Sequence, residues 1–240
     1  MKATVILVHG AYAGSSSWGG VVPSLLADGH RVIAFANPLR GVASDAALLS
    51  DLVRSVAGPI VLVGHSYGGA VITNVSVGDV QALVYIAGFA LDTGESCGDA
   101  SALAPGSTLG DTLEQVPLAG GGVDTYIAQE KYHHQFAADL PDEQSALMAA
   151  IQRPVTEGGL FEPSGDSPRW RSVPSWFLFG ELDRNIPAAA HRIMAKRADA
   201  RQTVEIAGAS HVVGISHPNE TLQIIRDAVR AESAAEAKGQ

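Results

Sequence analysis

The sequence predicts an α/β fold: a mostly parallel sheet of six strands flanked by helices. Three observations carry that expectation. Short β-rich apolar runs alternate with helical stretches along most of the chain. With 240 residues and a hydrophobic share of 46%, the chain suits one sizeable core better than two domains. Finally, Gly64-His65-Ser66-Tyr67-Gly68-Gly69 follows the apolar run Ile60-Val61-Leu62-Val63. That places a G-x-S-x-G motif where a buried strand must turn into a helix.

In chain order, Thr4–Val8 reads as the first buried strand. Its apolar run is too short for a signal peptide and lacks a small-residue cleavage pattern. Ser17–Asp28 reads as a helix with Trp18, Val21, Leu25 and Leu26 on one face, and Arg31–Ala36 as the second strand. Asp45–Val56 reads as a helix capped by Ser44 or Asp45 and ended by Gly58-Pro59. Beyond the motif, Ala70–Val75 continues on a helical period, and Ala82–Phe89 supplies a strand at βαβ distance.

The rhythm then breaks. Residues 91–173 are rich in Gly, Pro and polar side chains, with one convincing helix at Pro141–Gln152 and a flexible turn at Gly120-Gly121-Gly122. This segment is expected to be a helical cap inserted into a core made of residues 1–90 and 174–231. It would lie over the carboxyl ends of the strands, where ligands bind in such folds. Alternation resumes with a strand at Pro174–Phe179, a helix at Ala188–Ala198, a strand at Thr203–Ile206 and a helix at Asn219–Ala231. Residues 232–240 read as a frayed tail.

Composition removes several function classes. The formal charge of −9 has no basic cluster set against it, which argues against a nucleic-acid partner. No apolar segment approaches the roughly 20 residues of a membrane span. The single cysteine, Cys97, excludes an internal disulfide framework and fits a reducing compartment, so a cytoplasmic location is expected.

Ser66 at a strand-to-helix elbow is a candidate nucleophile, with flanking glycines allowing the close approach of strand and helix. A serine hydroxyl needs a positioned base, and that base a group to orient it. Of the eight histidines, His211 comes directly after the last expected strand and satisfies the chain order Ser, acid, His; His217, just before Pro218, is a weaker candidate that reads as part of the helix entry. Asp183, in Gly180-Glu181-Leu182-Asp183, follows the strand before it and is the expected acid. Asp92 is its rival, and Glu181 and Glu95 are weaker candidates. His9 and His65 are expected to hold the loops around the site. The developing oxyanion calls for backbone donors, assigned to the amides of Tyr67 and Ala11. Candidate pocket residues are Tyr12, Tyr67, Phe89, Tyr126, Tyr132, His133, Phe136 and Trp170.

With His9-Gly10-Ala11, the elbow, Gly180 with Asp183 and Pro187, and His211 in hand, the chain resembles the α/β-hydrolase superfamily over nearly all its length. His9-Gly10-Ala11 followed by Trp18 is similar to a branch of small bacterial hydrolases related to plant methyl-ester hydrolases and hydroxynitrile lyases. The resemblance implies an α/β-hydrolase fold with a lid, no metal and no organic cofactor. Plant cyanohydrin lyases place a lysine directly after the triad histidine, whereas this chain has Val212. Epoxide hydrolases and haloalkane dehalogenases use an aspartate at the elbow, where Ser66 stands. The expected activity is cleavage of small carboxylic esters or lactones through an acyl-enzyme. The alternatives are a lyase or C–C bond hydrolase on the same triad, or a hydrolase-like small-molecule receptor. The cap lacks a basic amphipathic segment, which favours small soluble esters over an interfacial lipase.

Overall fold

The computed structural model describes the backbone of residues 2–238 and the side chains of residues 2–231. The strands are β1 (Thr4–Val8), β2 (Arg31–Phe35), β3 (Ile60–His65), β4 (Val80–Ile86), β5 (Leu113–Pro117), β6 (Val123–Ile127), β7 (Val155–Thr156), β8 (Ser175–Gly180) and β9 (Gln202–Ile206). The helices are α1 (Val22–Ala27), α2 (Val42–Arg54), α3 (Tyr67–Thr73), α4 (Cys97–Ser101), α5 (Gln129–Phe136), α6 (Asp142–Ile151), α7 (Glu157–Phe161), α8 (Ala188–Arg197), α9 (Val213–Ser216) and α10 (Pro218–Lys238).

Six strands form the central sheet in the order β2-β1-β3-β4-β8-β9, every neighbour pair parallel. β1, β3 and β8 are buried at every position, as parallel strands covered on both faces must be. Helix α3 packs on β3 and β1 with α2 against it, α8 lies on β8, and α10 covers β4 and β8. The core is therefore the sheet and its helical layers, with the expected α/β-hydrolase architecture. Among the described residues no helix is long and apolar enough to cross a membrane.

The structure corrects several element boundaries. The helix expected over Ser17–Asp28 is split into a 3-10 turn at Ser15–Trp18 and α1. Gly19 and Gly20 favour the break, and Pro23 fixes the start of α1. Leu26 is consequently 53% exposed, whereas Trp18, Val21 and Leu25 are buried. Helix α2 begins at Val42 with Gly41 at its N-cap, so neither Ser44 nor Asp45 caps it. Asp45 instead lies buried in the first turn, accepting from Arg40 N (3.1 Å) and from the Tyr67 hydroxyl (3.0 Å). The backbone of α10 extends to Lys238, past the expected end at Ala231. The tail assigned to 232–240 otherwise falls outside the described side chains, and residues 239–240 lie outside the described residues.

The insertion between β4 and β8 is not purely helical. Alongside α4–α7 it holds a three-stranded antiparallel sheet in the order β5-β6-β7. The glycine run makes the β5–β6 hairpin turn, with Gly121 and Gly122 at φ 90° and 87°. Most of β5 is exposed, so it carries no apolar alternation by which a strand could be read.

Candidate active site

The chain leaves β1 for β2 on one side and returns to β3 on the other. The carboxyl ends of β1 and β3 therefore border the crevice at which parallel sheets bind ligands. β3 ends at His65, and Ser66 follows with φ 52° and ψ −122°. A non-glycine residue in such a region costs about 1–3 kcal/mol, sustained by the surroundings. Ser66 N–H donates to Ile86 O (3.3 Å), and Ser66 O accepts from Gly69 N (2.8 Å) and Phe89 N (3.1 Å). The turn is tight enough that a Cβ on Gly68 would stand 2.3 Å from Val8 O, and one on Gly10 would stand 2.6 Å from Ser66 Cβ.

Asp183 and His211 come together from the loops after β8 and β9. His211 Nδ1–H donates to Asp183 Oδ2 at 2.7 Å with both side chains fully buried. Asp183 Oδ1 accepts from the backbone amides of Asn185 (2.8 Å) and Ile186 (2.9 Å). Burial alone would raise the Asp183 carboxyl. The facing His211 and the N–H groups of His191 and His211 outweigh burial and hold it well below the usual carboxylate range. With Nδ1 committed to Asp183, His211 Nε2 is buried and without a hydrogen-bond partner among the described residues. Asp92, the rival acid, lies elsewhere and pairs with Arg171.

The two other strand-end histidines are neutral frame members. His65 Nε2–H donates to His211 O (3.2 Å), with the two rings 5.0 Å apart. Burial, then the His211 charge, pushes its pKa down to about 3. His9 Nδ1–H donates to Gly10 O (2.9 Å), while Nε2 accepts from Asn37 N (3.1 Å) and Arg153 Nη1 (3.3 Å). Burial lowers its pKa to about 4.

Ser66 opens into a cavity of about 760 Å³ walled also by Ala11, Tyr12, Tyr67 and Phe89. Ala11 and Tyr67, the residues expected to supply the oxyanion donors, thus line the same cavity as Ser66. The amide next along the loop, Tyr12 N–H, is already committed to Arg153 O (3.0 Å). Five expected pocket residues are not among those lining the cavity. The Tyr132 hydroxyl donates to Tyr12 O (2.8 Å). His133 Nε2 donates to Leu140 O (2.9 Å) and its Nδ1 lies 3.0 Å from Asp142. Trp170 Nε1–H donates to Leu91 O (2.8 Å). Tyr126 sits on β6 opposite Glu114. Phe136 is buried against the His211 ring at 4.9 Å. The remaining wall comes mostly from the insertion, with Leu109, Leu113, Leu160 and Phe161 beside the polar Gln115 and Glu157, and from Asn185 and Ile186 of the loop after β8.

One residue at the site carries no role in the sequence reading. His191, fully buried on α8, stacks on Phe179 at 4.8 Å and lies 3.3 Å from Asp183 Oδ2. Its helical spacing with Met194 and Ala195 marks the inner face of α8, a signal available in the sequence.

Comparison with known proteins fits this geometry. The pattern of the alpha/beta hydrolase family matches residues 5–224. Esterase PIR7B of Oryza sativa subsp. japonica is 30% identical, the match covering 93% of this chain and 94% of that protein. Methylesterase 2 of Arabidopsis thaliana is 25% identical, covering 88% and 90%. Polyneuridine aldehyde esterase superposes with a TM-score of 0.79 at 18% identity, covering 95% of this chain and 99% of that one. A pyrethroid hydrolase from Sphingobium faniae JZ-2 gives 0.74 at 21%, covering 97% and 99%. At such identities these structures speak for the fold. By sequence pattern and by fold, the chain belongs to the alpha/beta hydrolase family.

Proposed function

We propose that the protein is a serine hydrolase cleaving small carboxylic esters or lactones. The observation that carries this reading is the His211–Asp183 pair, which leaves His211 Nε2 as a buried, uncommitted base. Ser66, on its strained elbow, faces the cavity. Ser66 Oγ attacks the substrate carbonyl carbon and gives its proton to His211 Nε2. The Ala11 and Tyr67 amides receive the oxyanion. The imidazolium then returns the proton to the leaving alcohol as the C–O bond breaks. Water repeats the sequence on the acyl-enzyme and releases the acid. Asp183 orients the imidazole and stays ionised throughout.

Residues 1–90 and 174–231 act as the catalytic core and residues 91–173 as its cap. The similarity to an esterase and a methylesterase supports ester cleavage. A cytoplasmic location is part of the same reading, supported by the one cysteine being a buried free thiol. Ser66→Ala should lower p-nitrophenyl butyrate hydrolysis by roughly 10³-fold or more with an unchanged fold. Equal turnover by the two proteins would sink the assignment.

A further inference from the structure

Helix α5 of the cap reaches all three loops of the proposed machinery. Tyr132 bonds the loop after β1. Gln135 Nε2 donates to Asn185 Oδ1 (2.7 Å) and Arg184 O (3.0 Å) beside Asp183. Phe136 packs on His211, and its carbonyl accepts from Ser210 Oγ (3.3 Å). The tie to the first loop is the most constrained. Tyr12 stands at φ 59°, directly after Ala11, and three parts of the cap converge on it. Its N–H donates to Arg153 O (3.0 Å). Its C=O accepts from the Tyr132 hydroxyl (2.8 Å), and its own hydroxyl meets Thr125 Oγ1 at 3.0 Å. The Arg153 guanidinium also donates to His9 Nε2, and His9 Nδ1–H in turn donates to Gly10 O. Gly10 C=O and Ala11 N–H belong to one planar peptide, so whatever fixes that carbonyl fixes the direction of the amide.

We propose that Tyr132 and Arg153 of the cap are positioning residues for the oxyanion hole: Arg153 holds the peptides on either side of Ala11, and Tyr132 anchors the next peptide, Tyr12–Ala13, so that the Ala11 N–H keeps its aim. This rests on the serine-hydrolase reading. Oxyanion stabilisation is felt in the transition state and little in the ground state. Loosening the aim should therefore lower kcat and leave KM in place, whereas disordering the pocket would raise KM.

The test compares Tyr132→Phe, Arg153→Met and Ser66→Ala with the wild type on p-nitrophenyl butyrate. A second readout is inhibition by an alkyl trifluoromethyl ketone, whose serine adduct carries an oxyanion. Losing an oxyanion donor outright costs about 10²–10³ in rate, so a misaimed one in Tyr132→Phe should cost roughly tenfold in kcat. KM should stay within about twofold, and the ketone should bind about tenfold more weakly. Arg153→Met, which keeps the Tyr12–Arg153 main-chain bond, should move both readouts in the same direction. It also carries the test should Tyr132→Phe fold poorly. Wild-type kcat and ketone affinity in a folded variant, with Ser66→Ala inactive, would overturn the cap proposal alone. An active Ser66→Ala enzyme would overturn the hydrolase reading and this proposal with it.

Discussion

At the scale of single residues, the site depends on keeping buried imidazoles neutral. His9 and His65 have no carboxylate partner in the hydrogen bonds that place them, and burial drives them from the ordinary value of 6.5 to about 4 and about 3. In the unfolded chain both titrate normally. Between these values the unfolded chain binds protons that the folded protein refuses, so stability rises with pH across that window. It is undiminished above pH 6.5 and is lost progressively as pH falls towards 4 and then 3. Urea midpoints measured from pH 8 down to pH 4 should fall, and more gently in His65→Gln, which takes up no proton. Equal slopes in the two proteins would assign the loss to other groups.

At the scale of elements, the elbow shows how closely strand and helix must meet. Gly68→Ala would drive a Cβ to 2.3 Å from Val8 O. That is backbone against backbone, and no side chain can move to relieve it. The expected cost is about 3 kcal/mol, the upper end for overpacked sites, readable from urea unfolding with ester hydrolysis falling in step. A wild-type midpoint would show that α3 can shift away from β1. This contact was legible in the sequence because a glycine after the serine has few other reasons to be there. The strands were legible from their apolar stretches: Val5–Val8 in β1, Ile60–Val63 in β3 and Trp176–Phe179 in β8. Helix α5 was not. Its sequence, QEKYHHQF, has only Tyr132, Gln135 and Phe136 buried, too short and polar a stretch to display an apolar face. Its tertiary contacts decide its conformation. The pocket assignments for Tyr132, His133 and Trp170 failed for a related reason. An aromatic or histidine side chain in a cap is as able to bond a backbone carbonyl as to face a ligand, and here each does the former.

For the molecule as a whole, residues of the insertion and of the core border an open cavity of about 760 Å³ at Ser66. Its walls are largely apolar, with Leu109, Leu113, Leu160 and Ile186, and carry Gln115, Glu157 and Asn185 as well. An acyl chain that extends into it should gain about 0.8 kcal/mol, roughly fourfold in kcat/KM, for each methylene it buries. p-Nitrophenyl esters from acetate to octanoate should therefore rise in kcat/KM until the cavity is filled. A flat series would place the acyl chain outside it. Core and insertion are also joined by charge, through Arg40 Nη1 and Asp124 Oδ1 at 2.7 Å.

The parallel pairing of β4 with β8 joins Leu83 to Ser175, so the whole insertion lies between two strands that must touch. During synthesis β4 emerges early, and its far edge stays open until the insertion has been translated and β8 arrives. Distant pairings of this kind slow folding and expose apolar strand edges meanwhile. Asp183 and His211 arrive later still, so the nascent chain carries the proposed nucleophile long before its proposed partners join it. The step that completes the sheet is also the one that brings the three proposed catalytic residues within one site.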